Sequence, residues 1–497
     1  MSRDRTWLWV VAIWVLATAC ATVLRPVTPI DETGYLSVAW EMHLAGNPWL
    51  PALNGETYSH KPPLLFWLID VLWHGFGVND VSPRLLTSAF GLAVLLLTAR
   101  CAAFLAGGIP AIGARAALVL VATSVWFLFN GAVMFDVMLT FFTLSAIVLL
   151  LGMRGAGEAW RWLLIGSALG LGMLAKGPVA LLHVLLLAIL APIWKSSLEG
   201  VQPSSWWPWY RGVLTALVVA IAILAIWLGP ALSYGGSSFM NQLLWEQTID
   251  RMATTTHHLR PFWFYVAVLP ALLFPWWLLP SAWRGALGLR ASDAALLRVL
   301  ASWIIPVFLA FSLFNGKQLH YLMPLLPAFA VAISVAVTRS GSSGDAALRM
   351  GVRFSLAVVI AVYLAITLRF KEAYDVEAFA QSLGRLQMDG AAIAHLGRYH
   401  GQFQFAGRLK EPLPIIQYEA DWNRFKTAHP DGYVITYSPA GACTLSVAPE
   451  SRVVRQQPFR SREVFLWSVG SVDWSRDEPA TTGSPKPTDT GGTRREC

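Results

Sequence analysis

Charge is what this sequence lacks most. Of its 497 residues, 13% are Asp, Glu, Lys or Arg, against about 25% in an ordinary soluble domain, which excludes a string of water-soluble domains. Cysteine is nearly as scarce, and four residues in the whole length do not make a disulfide scaffold. Neither a G-x-x-x-x-G-K-[ST] loop nor an H-E-x-x-H pair occurs, so ATP-driven transport and zincin proteolysis are without their signatures. No internal repeat is visible, which counts against an inverted-repeat transporter. What stands in place of charge is apolar: 56% hydrophobic residues, 24 Trp and a mean hydropathy of +0.53. The chain reads as a polytopic α-helical membrane protein.

Apolar runs long enough to cross ~30 Å of hydrocarbon lie at 7–24, 84–106, 113–133, 137–153, 160–175, 177–194, 212–230, 262–283, 295–314, 319–338 and 351–369, about eleven transmembrane helices. A further run at 62–78 holds Asp70 and His74 and opens on Pro62-Pro63, so it reads as a helix lying in the interface. With the N-terminus inside, the inner segments carry a net +9, the outer segments of the membrane body −1 and the tail after Phe370 zero. The pI of 9.4 is therefore the positive-inside bias and not a nucleic-acid footprint. An odd number of spans puts the tail outside. Met1–Leu24 is followed by Arg25 without a small-residue cleavage site and reads as an uncleaved first helix.

The expected organisation is a membrane domain over 1–370, a soluble α/β domain over 371–474 and a disordered Thr/Pro/Gly/Ser-rich tail over 475–497. The membrane domain includes a long first outer loop at 25–83 with short helices. In the soluble part, 390–397, 414–418 and 432–437 read as strands, and 376–386 and 421–428 as helices.

Ionisable groups beside spans are costly, hence informative. Asp31 and Glu32 follow the first span, Lys61 sits in HKPP (60–63), Asp136 opens the fourth span and Lys176 ends the fifth. His257, His258 and Arg260 precede the eighth, and Lys317, His320 and Tyr321 open the tenth. All fall at outer ends in this topology, and three of the four Lys of the membrane body are there against the positive-inside rule. Cations at headgroup level suit a lipid-linked phosphate, and a carboxylate beside it suits a general base. Together they fit transfer of a group from a lipid phosphate to an acceptor. Alternatives stand beside this. Asp31 and Glu32 could simply cap a helix starting near Thr33. His60, His257 and His258, with Glu32, could bind a divalent metal. The Trp-rich stretches 205–210 and 275–277 read as interfacial anchors.

Several segments resemble one family in a fixed order: PIDETGY (29–35), NGETYSHKPPLLFWLI (54–69), GVNDVSPRLL (77–86), MFDVMLTFF (134–142), AKGPVALL (175–182), HHLRPFWFY (257–265) and GKQLHYLMPLLPA (316–328). They are similar to motifs of the bacterial aminoarabinose lipid A transferases, relatives of the protein O-mannosyltransferases with the C-type glycosyltransferase fold. The resemblance covers about 25–340. It implies Asp31 as the essential acid, with Glu32 and Tyr35 completing its motif and Asp136 as the second acid. It places Lys61 near the lipid phosphate, with Tyr58, Arg260, Lys317, His320 and Tyr321 as further substrate contacts. Gly34 stands where many relatives carry Arg, and His60 where some carry an acid.

The expectation is an inner-membrane, inverting glycosyltransferase. It would take a sugar from an undecaprenyl-phosphate carrier and pass it to a lipid A, glycan or protein acceptor on the periplasmic face. No cofactor beyond the metal option is implied, and its partners are lipids and not nucleic acid. A transporter or flippase of a lipid-linked sugar is the main rival, and a non-catalytic subunit with the tail as a docking domain is the second.

Overall fold

The computed structural model describes residues 2–153, 158–199, 204–243, 260–288, 293–438, 445–447 and 453–474. The chain divides into two compact units, one comprising Met1–Leu24, Asn47–Pro51 and Thr57–Leu364, the other Arg25–Gly46, Ala52–Glu56 and Ala365–Cys497.

The first unit is helical. In chain order the helices up to residue 241 are α1 (Arg3–Ala19), α2 (Asp31–Ala45, in the second unit), α3 (Leu64–Phe76), α4 (Val81–Leu105), α5 (Pro110–Val121), α6 (Ser124–Phe129), α7 (Phe135–Leu151), α8 (Ala159–Lys176), α9 (Val179–Ile189), α10 (Ala191–Glu199) and α11 (Trp207–Asn241). Beyond them lie Phe264–Leu272, Pro280–Leu287, Ala294–Leu313, Leu326–Arg339 and Gly341–Arg369.

Among the described residues six helices are long and apolar enough to cross a membrane, and a seventh span is made if α9 and α10, bent by 58°, are counted as one. Of the expected spans, four take a different form. The 113–133 run is split at Ala122-Thr123, and 262–283 is interrupted at Pro275 and Pro280. Those prolines cannot donate to the helical ladder. The helix α7 has 17 residues, and α8 carries Trp160, Arg161 and Trp162 at one end and Lys176 at the other. Hydropathy sums over such breaks without registering them. The 62–78 run forms α3, which buries Leu64, Leu65, Phe66, Ile69 and Trp73 and leaves Val71 and Phe76 exposed.

Close approach of helices depends on small residues. A Cβ on Gly166 of α8 would stand 2.6 Å from the carbonyl of Ala216 in α11, and one on Gly212 would fall within the Trp162 ring. The end of α1 is fixed by polar groups: the buried Arg84 guanidinium donates to the carbonyls of Ala21 (2.9 Å) and Thr22 (3.2 Å).

The second unit is built on a five-stranded sheet. Its strands are β3 (Ile393–Leu396), β4 (Ile415–Ile416), β5 (Tyr433–Ser438), β7 (Val453–Phe459) and β8 (Arg462–Ser468), in the order β4-β3-β5-β8-β7, with β6 (Leu445–Val447) and β9 (Val472–Trp474) forming a separate antiparallel pair. The pairs β3–β4 and β3–β5 are parallel, β5–β8 and β7–β8 antiparallel. Successive residues alternate between two cores: Ile393, Ile435 and Leu466 pack with Phe379 and Leu383 of helix Glu377–Met388, whereas Ala394 and Val434 pack with Trp422 and Phe425 of helix Glu419–Ala428. That is the period-two signature of a sheet covered on both faces.

This unit includes α2. Ser37 Oγ donates to the carbonyl of Gly401 at 2.6 Å and accepts from the Phe405 N–H at 3.0 Å, and Trp40 Nε1 donates to the Leu409 carbonyl at 2.8 Å. The turn Asn54-Gly55, with φ of 57° and 79°, joins the short strands β1 (Ala52–Leu53) and β2 (Glu56–Thr57). Asn-Gly tolerates those left-handed angles. Both backbone N–H groups of the turn donate to the Glu41 carboxylate of α2.

Candidate active site

Four of the expected site residues gather around the first turn of α7. Asp136 is 1% exposed, and an isolated carboxylate at that burial would be costly. It is paired: Lys176, at the last turn of α8, donates directly to Oδ1. The His320 Nε2 lies 4.0 Å from Oδ2, and the charge of Lys61 also acts on the group. The Lys176 ammonium sits 5.0 Å over the ring of Tyr321, and the rings of Tyr321 and His320 meet edge to face at 5.0 Å. Placing a lysine over an aromatic face adds a cation–π term to the ion pair.

An aromatic chain ties the HKPP loop to this cluster. Tyr58 packs on His60 (5.2 Å between ring centres) and on Phe66 (6.2 Å), and Phe66 packs edge to face on Phe135 (5.6 Å), the residue before Asp136. Pro62 and Pro63 precede α3 and leave Lys61 half-buried and His60 exposed at its entry.

Lys317 is engaged differently. It is 4% exposed, and its ammonium donates to the carbonyls of Arg260 (3.0 Å) and Phe314. Three donors on one ammonium suit such a backbone clamp. Arg260 itself is exposed, its guanidinium 5.6 Å over the Phe264 ring.

In the second unit, Asp31 is the first residue of α2 and is exposed. Ile30 holds the N-cap position without a side-chain cap bond, and Asp31 and Glu32 both lie in the first turn of α2, where acids suit the positive end of the helix dipole. Glu32 is 2% exposed, pairs with Arg25 at 2.8 Å and accepts from the Thr28 N–H at 3.1 Å. Its carboxylate thus anchors the start of α2. Tyr35 is buried on the same helix.

His257 and His258, offered with His60 as metal ligands, lie outside the described residues, as does the tail 475–497. Two polar residues, Lys176 and His183, stand apart from the expected substrate contacts. Lys176 is the direct partner of Asp136, and the separation of 40 residues gave no hint of that. His183 in α9 is fully buried among apolar neighbours, where it reads as one polar residue in an apolar run.

Residues 60–227 match the dolichyl-phosphate-mannose-protein mannosyltransferase family. The chain is 30% identical over 383 residues to the undecaprenyl phosphate-alpha-4-amino-4-deoxy-L-arabinose arabinosyl transferase 1 of Pseudomonas fluorescens, covering 73% of this chain and 64% of the relative. It is 27% identical over 412 residues to the corresponding transferase of Pseudomonas aeruginosa, covering 80% of this chain and 72% of the other. The chain thus spans just under two thirds of the length of the first relative. ArnT from Cupriavidus metallidurans, solved bound to undecaprenyl phosphate, superposes with a TM-score of 0.68 over 94% of this chain and 98% of its own, at 17% identity. An Archaeoglobus fulgidus oligosaccharyltransferase superposes with a TM-score of 0.54 over 86% of this chain and 69% of its own, at 12% identity. These structural likenesses concern the fold. The chain is thus similar in sequence to the aminoarabinose transferases and, over residues 60–227, to the dolichyl-phosphate-mannose-protein mannosyltransferases, and it is a multi-pass membrane protein of the C-type glycosyltransferase fold.

Proposed function

We propose that this protein is an inner-membrane glycosyltransferase that moves a sugar from an undecaprenyl-phosphate carrier to a lipid A, glycan or protein acceptor on the periplasmic face. The observation that carries the reading is the buried Asp136–Lys176 pair with His320 and Tyr321 against it and Lys61 within electrostatic reach. Relatives named for undecaprenyl phosphate-linked aminoarabinose support the donor class.

The chemistry is a displacement at the anomeric carbon with inversion. The acceptor oxygen forms the new bond as the bond to the carrier phosphate breaks. Phosphate leaves readily, so the protein's task is to stabilise its charge and aim the acceptor. Lys61 and Arg260 are the proposed phosphate contacts. Asp136 fixes the Lys176 ammonium. Asp31, exposed and without a hydrogen bond or ion pair among the described residues, takes the proton of a hydroxyl acceptor or orients a phosphate one. Glu32 supports Asp31 through the backbone of α2.

A flippase would spread ionisable groups along a path through the membrane. Here Asp136, Lys176 and His320 are drawn into one cluster, which favours the transferase. Mass spectrometry of lipid A and surface glycans from a deletion strain tests the reading. Loss of one sugar-bearing species, restored by the intact gene, is the expected result; an unchanged glycan and lipid profile would count against it.

A further inference from the structure

His183 is a buried polar side chain close enough to Asp136 and Lys176 to feel both charges. It lies in α9, is fully buried, and neither ring nitrogen has a hydrogen-bond partner among the described residues. Its ring packs on Phe311 at 5.3 Å, and Phe311 in turn packs on Tyr321 at 6.2 Å. The charges of Lys176 and Asp136 both act on it. The helix that carries it packs against α7, α8 and Ala294–Leu313, the elements that hold Asp136, Lys176 and Phe311.

A buried polar group left unsatisfied destabilises a protein, and an apolar side chain of similar size would remove that cost. The flanking sequence, VALLHVLLLAI, is otherwise apolar, so a leucine would fit the helix. Lys176 presents the complementary need. One N–H of its ammonium goes to Asp136 and its charge faces the Tyr321 ring, yet an ammonium has three donors.

We propose that His183 is a positioning residue for the transfer step. Its ring offers an acceptor to a remaining Lys176 N–H through one bridging water, and so holds the ammonium in line with Asp136 while the sugar moves. The role rests on the glycosyltransferase reading above. It assigns no substrate contact to His183, which is fully enclosed. Helix α9 then serves as a third support of the Asp136–Lys176 pair, beside α7 and α8.

The test uses the full-length protein in lipid nanodiscs, undecaprenyl phosphate-alpha-4-amino-4-deoxy-L-arabinose as the donor probe and lipid A as acceptor. Wild type, His183→Leu, His183→Gln and Asp136→Asn are compared for transfer and for thermal unfolding. His183→Leu is expected to melt no lower than wild type and to lose kcat about tenfold or more, with donor KM little changed, because the phosphate contacts lie elsewhere. His183→Gln, which keeps an acceptor, should recover part of kcat. Wild-type kcat in His183→Leu beside an inactive Asp136→Asn overturns the inference alone. So does a loss that follows the melting temperature and is not relieved by Gln. Absence of transfer by the wild-type protein counts against the glycosyltransferase reading and removes this inference with it.

Discussion

The ammonium of Lys176 closes the last turn of α8 onto the carboxylate of Asp136 in the first turn of α7. Both side chains are nearly sealed, at 9% and 2% exposure, so each supplies the charge that makes the other tolerable. Removing one partner of a buried pair leaves the other uncompensated, at about 3–5 kcal/mol. Asp136→Asn and Lys176→Met should each unfold at markedly lower temperature. The double variant, which buries no net charge, should regain most of that stability and none of the transfer activity. A double variant that transfers at the wild-type rate would reduce the pair to a structural role.

Asp31 and Glu32 are adjacent in sequence and are expected to separate in experiment. Asp31→Asn should leave the melting temperature unchanged, because the side chain is exposed and makes no cap bond. Loss of a general base should slow transfer by about 10²–10⁴-fold. Glu32→Gln should do the reverse. Weakening the bonds to Arg25 and Thr28 destabilises the start of α2 by about 1–3 kcal/mol, with a smaller effect on the rate at low temperature. Near-normal transfer by Asp31→Asn would move the search for the base to Asp136.

Asn54 joins two segments that are 359 residues apart. Its side-chain amide donates to the Leu413 carbonyl and accepts from the Leu413 N–H, both at 2.8 Å. Asn54→Gly keeps the left-handed turn and deletes only this bracket, which should cost about 1–3 kcal/mol. Amide exchange at Leu413 should accelerate in that variant. Unchanged protection there would show that the turn holds without the bracket.

The sheet of the second unit should weaken in mild acid. His395 is fully buried and its neutral ring lies 3.1 Å from the Tyr437 hydroxyl, and desolvation pulls its pKa from 6.5 to about 4. The unfolded chain therefore takes up a proton first as the pH falls. The stabilisation is intact above about pH 6.5 and is lost progressively towards pH 4. For this one group the loss is on the order of 3 kcal/mol. Exchange protection of β3 and β5 as a function of pH checks this, and His395→Gln should flatten the dependence.

How much of this was legible in the sequence depends on the range of the interaction. Apolar runs report helices, and the runs at 84–106, 295–314, 319–338 and 351–369 correspond to single long helices or nearly so. Strands at 393–396 and 433–438 were visible because Gly and Asp punctuate them. The hairpin of β7 and β8 was not. Its turn passes through Arg460 at φ 56°, a left-handed position with neither the Gly nor the Asn that usually marks one. Asp31, Lys61 and Asp136 stand out in the sequence because charge at the end of a span is rare enough to be noticed, and of these the structure draws Asp136 into a buried ion pair with Lys176. The grouping of α2 and the Asn54 turn with the C-terminal sheet was not, since it rests on Ser37–Gly401 and Asn54–Leu413 bonds across more than 350 residues. His183 does not stand out in VALLHVLLLAI, because an apolar run gives no sign of which charges pack beside its one polar residue.

The central claim is that a sugar leaves a lipid phosphate on this protein. Its most direct test is release of undecaprenyl phosphate from an undecaprenyl-phosphate-linked aminoarabinose donor by the purified protein in nanodiscs, followed by mass spectrometry with lipid A present. The account predicts acceptor-dependent release of free undecaprenyl phosphate together with a sugar-bearing acceptor, both lost in Asp31→Asn and Asp136→Asn. Donor that crosses the bilayer intact, with no undecaprenyl phosphate released, would contradict it and make the protein a carrier of the lipid-linked sugar.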